Sequence, residues 1–188
     1  MEQKFSELLE KDEKLLWCGC PEHFETLDKT NKKSIIVGLI IKAIVIVGIL
    51  ALYIHGALMA AGVKWGIVAA VLAFGAYAFV NPLLVARRLR NKTFYALSDR
   101  RILRTGANDE SVPYERIRNA ALRTDEDGHT TLLCGPRTKD LKPRQWRGEA
   151  DAAFINGPDD PEALRVILYN LPMTKELKEI LNEKIGVQ

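Results

Sequence analysis

Two apolar runs constrain this chain more than anything else in it: Ser34–Ile54 (SIIVGLIIKAIVIVGILALYI) and Val63–Ala86 (VKWGIVAAVLAFGAYAFVNPLLVA). Each reaches about twenty residues or more, the length an α-helix needs to cross roughly 30 Å of hydrocarbon. His55–Gly62 (HGALMAAG) joins them without a Lys or Arg, so the pair predicts a transmembrane hairpin over residues 34–86. The hairpin divides the rest of the 188 residues into a lead-in (1–33), one small domain (91–170) and a C-terminal amphipathic helix (171–188). Roughly a hundred residues outside the membrane suffice for one small core. The average hydrophobic content of 47% conceals this division. A formal net charge of +3 is too small to point to nucleic acid, and no such partner is expected.

Charge position says more than charge total. Lys29, Lys32 and Lys33 precede the first run, and Arg87, Arg88, Arg90 and Lys92 follow the second. By the positive-inside rule both termini are cytoplasmic, as in a multi-pass protein of the cell (inner) membrane. The first run starts after about thirty residues with many acids and is too long for a signal-peptide core. Tyr53 and Trp65 then fall at the outer headgroup level, with Lys64 able to snorkel there. Lys42 interrupts the first run. Its insertion costs roughly 2.5–3.5 kcal/mol, against about 0.3–0.6 returned by each Leu, Ile or Val. The run holds fourteen of those, so insertion prevails. Tyr77 and Asn81 lie at a similar depth in the second run, and Lys42 either faces one of them or snorkels to the cytoplasm. Gly62, Gly66 and Ala70 recur at four-residue spacing, a small-residue stripe that seats either the first span or a second copy of the chain.

The lead-in opens with Phe5, Leu8 and Leu9 on one helical face, followed by an apolar run over Glu13–Pro21. Past Lys92 the pattern turns to short strands. Thr93–Ser98 and Arg101–Thr105 predict a tight hairpin around Ser98-Asp99-Arg100. Ser111–Arg118 predicts a third strand with Pro113 at its edge or start, and Ala120–Thr124 and Thr130–Cys134 flank an acidic turn. Pro136–Arg147 is basic and weakly patterned, which predicts a loop with one weak strand, and Gly148–Asn156 predicts a closing strand. The turn Asn156–Pro161 predicts a helix start, with Glu162–Tyr169 helical and ended by Pro172. Thr174–Ile185 predicts an amphipathic helix stopped by Gly186.

This order of parts resembles the bacterial PH-like (pleckstrin-homology-like) domain membrane proteins. Glu13–Pro21 resembles their "E-K-x-L-W-x-G-x-P" lead-in, and Tyr95-Ala-Leu-Ser-Asp-Arg-Arg-Ile-Leu103 their "Y-x-L-[ST]-x-x-R-[IL]" hairpin. Val112-Pro-Tyr-Glu-Arg-Ile117 resembles "I-P-x-x-x-I", and Phe154-Ile-Asn156 with Asp160-Pro-Glu162 resembles "F-x-x-I-x-D-P-E" with altered spacing. The resemblance implies an α+β membrane protein: a two-helix hairpin carrying a small antiparallel PH-like β-barrel of seven strands, partly open, capped by the Pro161–Tyr169 helix. The Gly-rich segment usual in the middle of that domain is missing here.

No P-loop, G-x-S-x-G or H-E-x-x-H is present. The sequence therefore predicts no catalytic residue, no cofactor and no enzyme. Cys18-x-Cys20-x-x-His23 has metal-like spacing, but a structural zinc site wants four ligands and the only further thiol is Cys134; reduced thiols are expected. Asp125-Glu126-Asp127 lacks the ligand spacing of a calcium loop and reads as solvated turn charge. Arg101, at the hairpin signature, is expected to be structural. Arg100, Arg104, Arg116, Arg118 and Arg123 are candidates for contact with anionic lipid headgroups, held near the membrane by the flanking Lys32, Lys33, Arg87, Arg88 and Arg90. The leading expectation is a non-enzymatic anchor that displays its domain to a protein partner or scaffolds a complex. Lipid recognition by the basic strand face is the second.

Overall fold

The computed structural model describes residues 5–59, 62–106, 109–117, 119–135, 138–152, 155–156 and 164–187. Both apolar runs form single helices, α1 (Lys29–Met59) and α2 (Trp65–Lys92). Each extends beyond its apolar run into charged sequence, α1 at its start and α2 at its end. Both are long and apolar enough to cross a membrane. Their side chains point outward, with Ile44 66%, Leu52 77% and Phe74 73% exposed. A core helix of a water-soluble domain would bury these; here they make an apolar surface suited to lipid.

The helices pack closely at Gly75, where an added Cβ would lie 2.8 Å from Cδ1 of Ile46. Gly62 and Gly66 have nothing within 4 Å of such a Cβ. Nine residues turn a helix through about half a revolution more than two full turns, which puts Gly66 on the face opposite Gly75. The glycines of the predicted stripe thus do not seat α1; of its three members, Ala70 alone lines the crevice between the helices.

Lys42 does face α2, but its partner is neither Tyr77 nor Asn81. Its Nζ donates to the backbone carbonyl of Ala78 at 2.9 Å. The reason lies four residues on. Pro82 sits inside α2 and has no N–H to give the carbonyl of residue 78, which leaves that oxygen without its helical donor. In hydrocarbon an unpaired carbonyl is costly, and the ammonium of Lys42 supplies the missing hydrogen bond.

Outside the hairpin, β1 (Leu15–Gly19), β2 (Phe94–Ser98), β3 (Arg101–Thr105) and β4 (Glu110–Pro113) form one antiparallel sheet in that order. A second sheet runs β5 (Ala121–Thr124), β6 (Thr130–Cys134), β8 (Leu164–Leu168), β7 (Ile155–Asn156). Two further helices are α3 (Pro143–Asp151) and α4 (Lys175–Ile185). Alternation along the strands divides the packing. Tyr95, Leu97, Ile102 and Val112 meet Leu132, Cys134, Val166 and Leu168 between the sheets, and Leu177 and Leu181 of α4 join that core. On the other face of the first sheet, Ala96 and Leu103 are covered by Phe5, with Leu8 and Leu9 beside it, so the apolar face of the lead-in is used as a lid.

The fold is α+β, with two long apolar helices and two small antiparallel sheets. Residues 162–169 were expected to be helical; 164–168 are instead strand β8, hydrogen-bonded to β6 on one side and β7 on the other. Val166 and Ile167 are three and four residues from Ala163, but they also belong to a continuous apolar run, which suits a strand buried on both faces. The expected weak strand in 136–147 and closing strand in 148–156 give way to α3, begun by Pro143 in its first turn; strand structure is confined to Ile155–Asn156. The third strand ends at Pro113 and continues as a 3₁₀ turn, Tyr114–Arg116. Helix α4 keeps its predicted limits, with Thr174 Oγ1 accepting from Leu177 N–H and Gly186 left-handed at the C-cap. Its Leu177 and Leu181 cover the core; of the expected capping helix, residues 161–163 lie outside the described residues and 164–168 are strand.

One ion pair fixes the lead-in to the first sheet. Arg101 donates through Nε and Nη2 to Glu13 at 2.9 and 2.7 Å and through Nη2 to the Leu8 carbonyl at 3.1 Å. Burial works against charge on Glu13. The Arg101 guanidinium and the Glu10 N–H nevertheless hold its carboxyl down at about 2.

Two predictions follow from these contacts. Lys42→Met lowers stability in detergent, and the loss shrinks in a Pro82→Ala background, where residue 82 regains an N–H for Ala78. The coupling in a double-mutant cycle is about 1 kcal/mol; additive losses would refute the pairing. For Glu13, the folded carboxyl sits below its ordinary 4.5, so its contribution is complete above that pH and fades as pH falls towards 2. It amounts to on the order of 3 kcal/mol. Glu13→Gln lowers the unfolding midpoint at pH 7 and flattens its fall between pH 5 and 2.

Candidate functional site

The residues most densely bonded to one another lie where α1 leaves the domain. A helix start leaves N–H groups unpaired, and here two carboxylates take them. Asp28 Oδ1 accepts from the Asn31 N–H at 2.8 Å. Asp127, from the β5–β6 turn, accepts from the Lys29 and Thr30 N–H groups at 3.1 and 2.8 Å and from the Thr30 hydroxyl at 2.7 Å. Burial disfavours the Asp127 charge, but the Thr30 and Lys29 donors outweigh it and hold its carboxyl below the usual range. Both acids stand at the positive end of the helix dipole. Asp125 shapes the turn, accepting from the N–H groups of Asp127 and His129, each at 2.9 Å, and lying 3.0 Å from His129 Nδ1.

Arg147 of α3 completes the junction. It pairs with Asp28 and donates to the carbonyls of Thr26 at 2.8 Å and Glu25 at 3.2 Å. Its guanidinium lies 4.6 Å from the Phe24 ring centre and 5.5 Å from that of Tyr169, and these rings meet edge to face at 5.2 Å. Tyr169 Oη accepts from Arg147 at 3.2 Å, and burial pushes its phenol up to about 12. Beneath them Leu133 and Ile167 of the second sheet, Trp146 and Ala150 of α3, and Ala86 and Leu89 of α2 form one buried cluster. Arg88 of α2 pairs with Asp151 of α3. Both long apolar helices are thereby fastened to the domain.

Asp28, Asp127 and His129 bring ligand atoms within 4.8 Å of one another. Each already has protein partners: Asp28 accepts from Arg147 and Asn31, Asp127 from the start of α1, and His129 Nδ1 lies 3.0 Å from the Asp125 carboxylate. The trio joins protein to protein. Cys18 packs with the outer cluster of the first sheet and Cys134 in the inner core. The thiols therefore lie on opposite faces of the sheet, and Cys134 cannot complete a site with Cys18. Burial raises the Cys134 thiol to about 12.

The predicted basic set is dispersed. Arg100 is exposed in the β2–β3 turn and Arg123 on β5 of the other sheet. Arg104 is buried, pairs with Glu110 and donates to the carbonyls of Ala150 and Ala152, tying β3 to the end of α3. Arg116 is half-buried in the 3₁₀ turn, and Arg118 lies outside the described residues. Of the flanking charges, Lys32, Lys33 and Arg87 are exposed, while Arg88 and Arg90 reach the domain, Arg90 through the Phe24 carbonyl at 3.5 Å. Tyr77 is 61% exposed and Asn81 half-buried. Sequence reasoning missed Asp28, Asp127 and Arg147. The capping signal of an Asp just before a helix was available at Asp28; nothing local marks the other two.

Comparison with protein-family models finds no match, and comparisons with curated proteins and with solved structures find none either.

If the junction is as described, Arg147→Met strands the Asp28 carboxylate in a buried site and costs about 3–5 kcal/mol. Asp127→Asn, which keeps the shape but loses the charge, costs about 1 kcal/mol. Amide hydrogen exchange of the full chain in detergent checks both: residues 29–31 exchange faster in each variant. Unchanged protection in Asp127→Asn would contradict the capping role.

Proposed function

We propose that this chain is a non-enzymatic inner-membrane protein that crosses the bilayer twice, keeps both termini in the cytoplasm, and holds a PH-like domain against the membrane as a docking platform for a protein partner. The observation that carries this reading is the junction: Arg147, Asp28, Asp127 and Arg88 fasten the domain to both helices, which suits a fixed display surface. Asp28, Asp127, Arg147, Arg88 and Asp151 are all engaged in holding it. The Glu13–Arg101 pair supports the PH-like assignment, because it joins the lead-in motif to the hairpin motif. The Gly66 face, turned away from α1, leaves room for a second copy of α2. Headgroup recognition by the basic strand face has less support, since Arg104 is buried and Arg100 and Arg123 stand on different sheets.

A photoreactive residue replacing Arg123 in the full chain, irradiated in intact cells, is expected to give a discrete adduct with a cytoplasmic protein. Adducts with lipid alone, or with a protein from the outer side, would refute the platform and its orientation respectively.

A further inference from the structure

A groove of about 640 Å³ runs between the first turns of α1 and the start of α3. Its walls change character along its length. At the cytoplasmic end stand Lys33, Arg144 and Gln145, with the hydroxyls of Thr30 and Ser34. One to two helical turns further on, Val37, Gly38 and Ile41 form an apolar floor. Ile41 also lines the crevice between α1 and α2, of about 440 Å³, together with Val45, Ile46 and Phe74, so the two hollows share a wall. Along α1, Val37, Ile41 and Val45 follow at four-residue spacing and make one continuous stripe.

Lys33 and Arg144 are exposed, and among the described residues neither makes an ion pair. Arg88 and Arg147 nearby are instead paired with acids. Two unneutralised cations and two hydroxyls therefore face a groove whose other end is greasy. That segregation fits neither a free inorganic anion, which has no use for the floor, nor an acyl chain alone, which has none for the charges. From Lys33 to Val45 the rise is about 18 Å, close to the half-thickness of a bilayer's hydrocarbon.

We propose that this groove binds one anionic glycerophospholipid of the cytoplasmic leaflet. Its phosphate lies between Lys33 and Arg144, a glycerol ester oxygen meets the hydroxyl of Ser34, and one acyl chain runs along Val37, Ile41 and Val45. Gly38 is where the chain enters: an added Cβ there meets nothing within 4 Å, so the position has space that a side chain would fill. The site is separate from the strand arginines. It rests on the reading that the hairpin spans a bilayer.

Native mass spectrometry of the detergent-purified full chain, titrated with phosphatidylglycerol or with phosphatidylcholine of the same acyl length, tests this. Phosphatidylglycerol binds with one-to-one stoichiometry and phosphatidylcholine markedly less. Lys33→Gln and Arg144→Gln each weaken the phosphatidylglycerol complex by roughly fivefold, whereas Lys178→Gln, an exposed charge on α4, has no effect. Gly38→Leu weakens it as well while leaving the unfolding midpoint unchanged. Glycerol phosphate, which has the headgroup chemistry without chains, competes poorly; equal competition would overturn the acyl-chain part of the site. Equal binding of the two lipids, or wild-type binding by all three groove variants, overturns the proposal. A chain found in the supernatant after detergent-free ultracentrifugation would instead overturn the membrane reading on which it rests.

Discussion

The first-turn amides of a long apolar helix need acceptors from elsewhere, and the rest of this structure depends on how α1 obtains them. The acceptors for α1 come from two places at once. Asp28 is local, while Asp127 is carried in by a turn nearly a hundred residues later. Because the second acceptor belongs to the domain, capping the helix also docks the domain. Arg147 then neutralises Asp28 from a third element, and the aromatic pair Phe24 and Tyr169 shields its guanidinium. A buried ion pair of this kind is a poor source of net stability but a strong specifier of geometry, since removing either partner leaves an uncompensated charge.

The same logic recurs at smaller scale. Glu13 and Arg101 hold the lead-in as the edge strand of the first sheet. Arg104 bridges β3 to the C-terminal carbonyls of α3, where a cation also complements the helix dipole. In each case a long arginine reaches from a regular element to backbone acceptors of an irregular one. Of the arginines that suggest a binding face in the sequence, Arg104 serves as an internal fastening. The cations left exposed, Lys33 and Arg144 among them, stand out against that background.

Within the hairpin, Pro82 and Lys42 are each unfavourable alone: a helix interior that lacks a donor, and a charge in an apolar span. Together they cancel, the lysine giving Ala78 the hydrogen bond that the proline withholds. This account requires no transport pathway and no titrating partner. It also explains why a polar side chain at the depth of Asn81 or Tyr77 is not what Lys42 reaches.

Local pattern was sufficient wherever one element could be judged by itself. The apolar lengths of residues 34–54 and 63–86 dictated two long helices, the turn at Ser98–Arg100 fixed the β2–β3 hairpin, and Thr174 and Gly186 bounded α4, because caps, turns and span lengths act over a few residues. Residues 164–168 are strand where a helix is expected, and 143–151 are helix where a loop and a closing strand are expected, because the neighbours β6, β7 and α2 decide. The junction was legible only at Asp28. That Asp127 would cap α1, that Arg147 would be buried beside Asp28, and that Lys33 would share a groove with Arg144 are consequences of long-range packing, which brings together charges about a hundred residues apart and which no short window of sequence encodes.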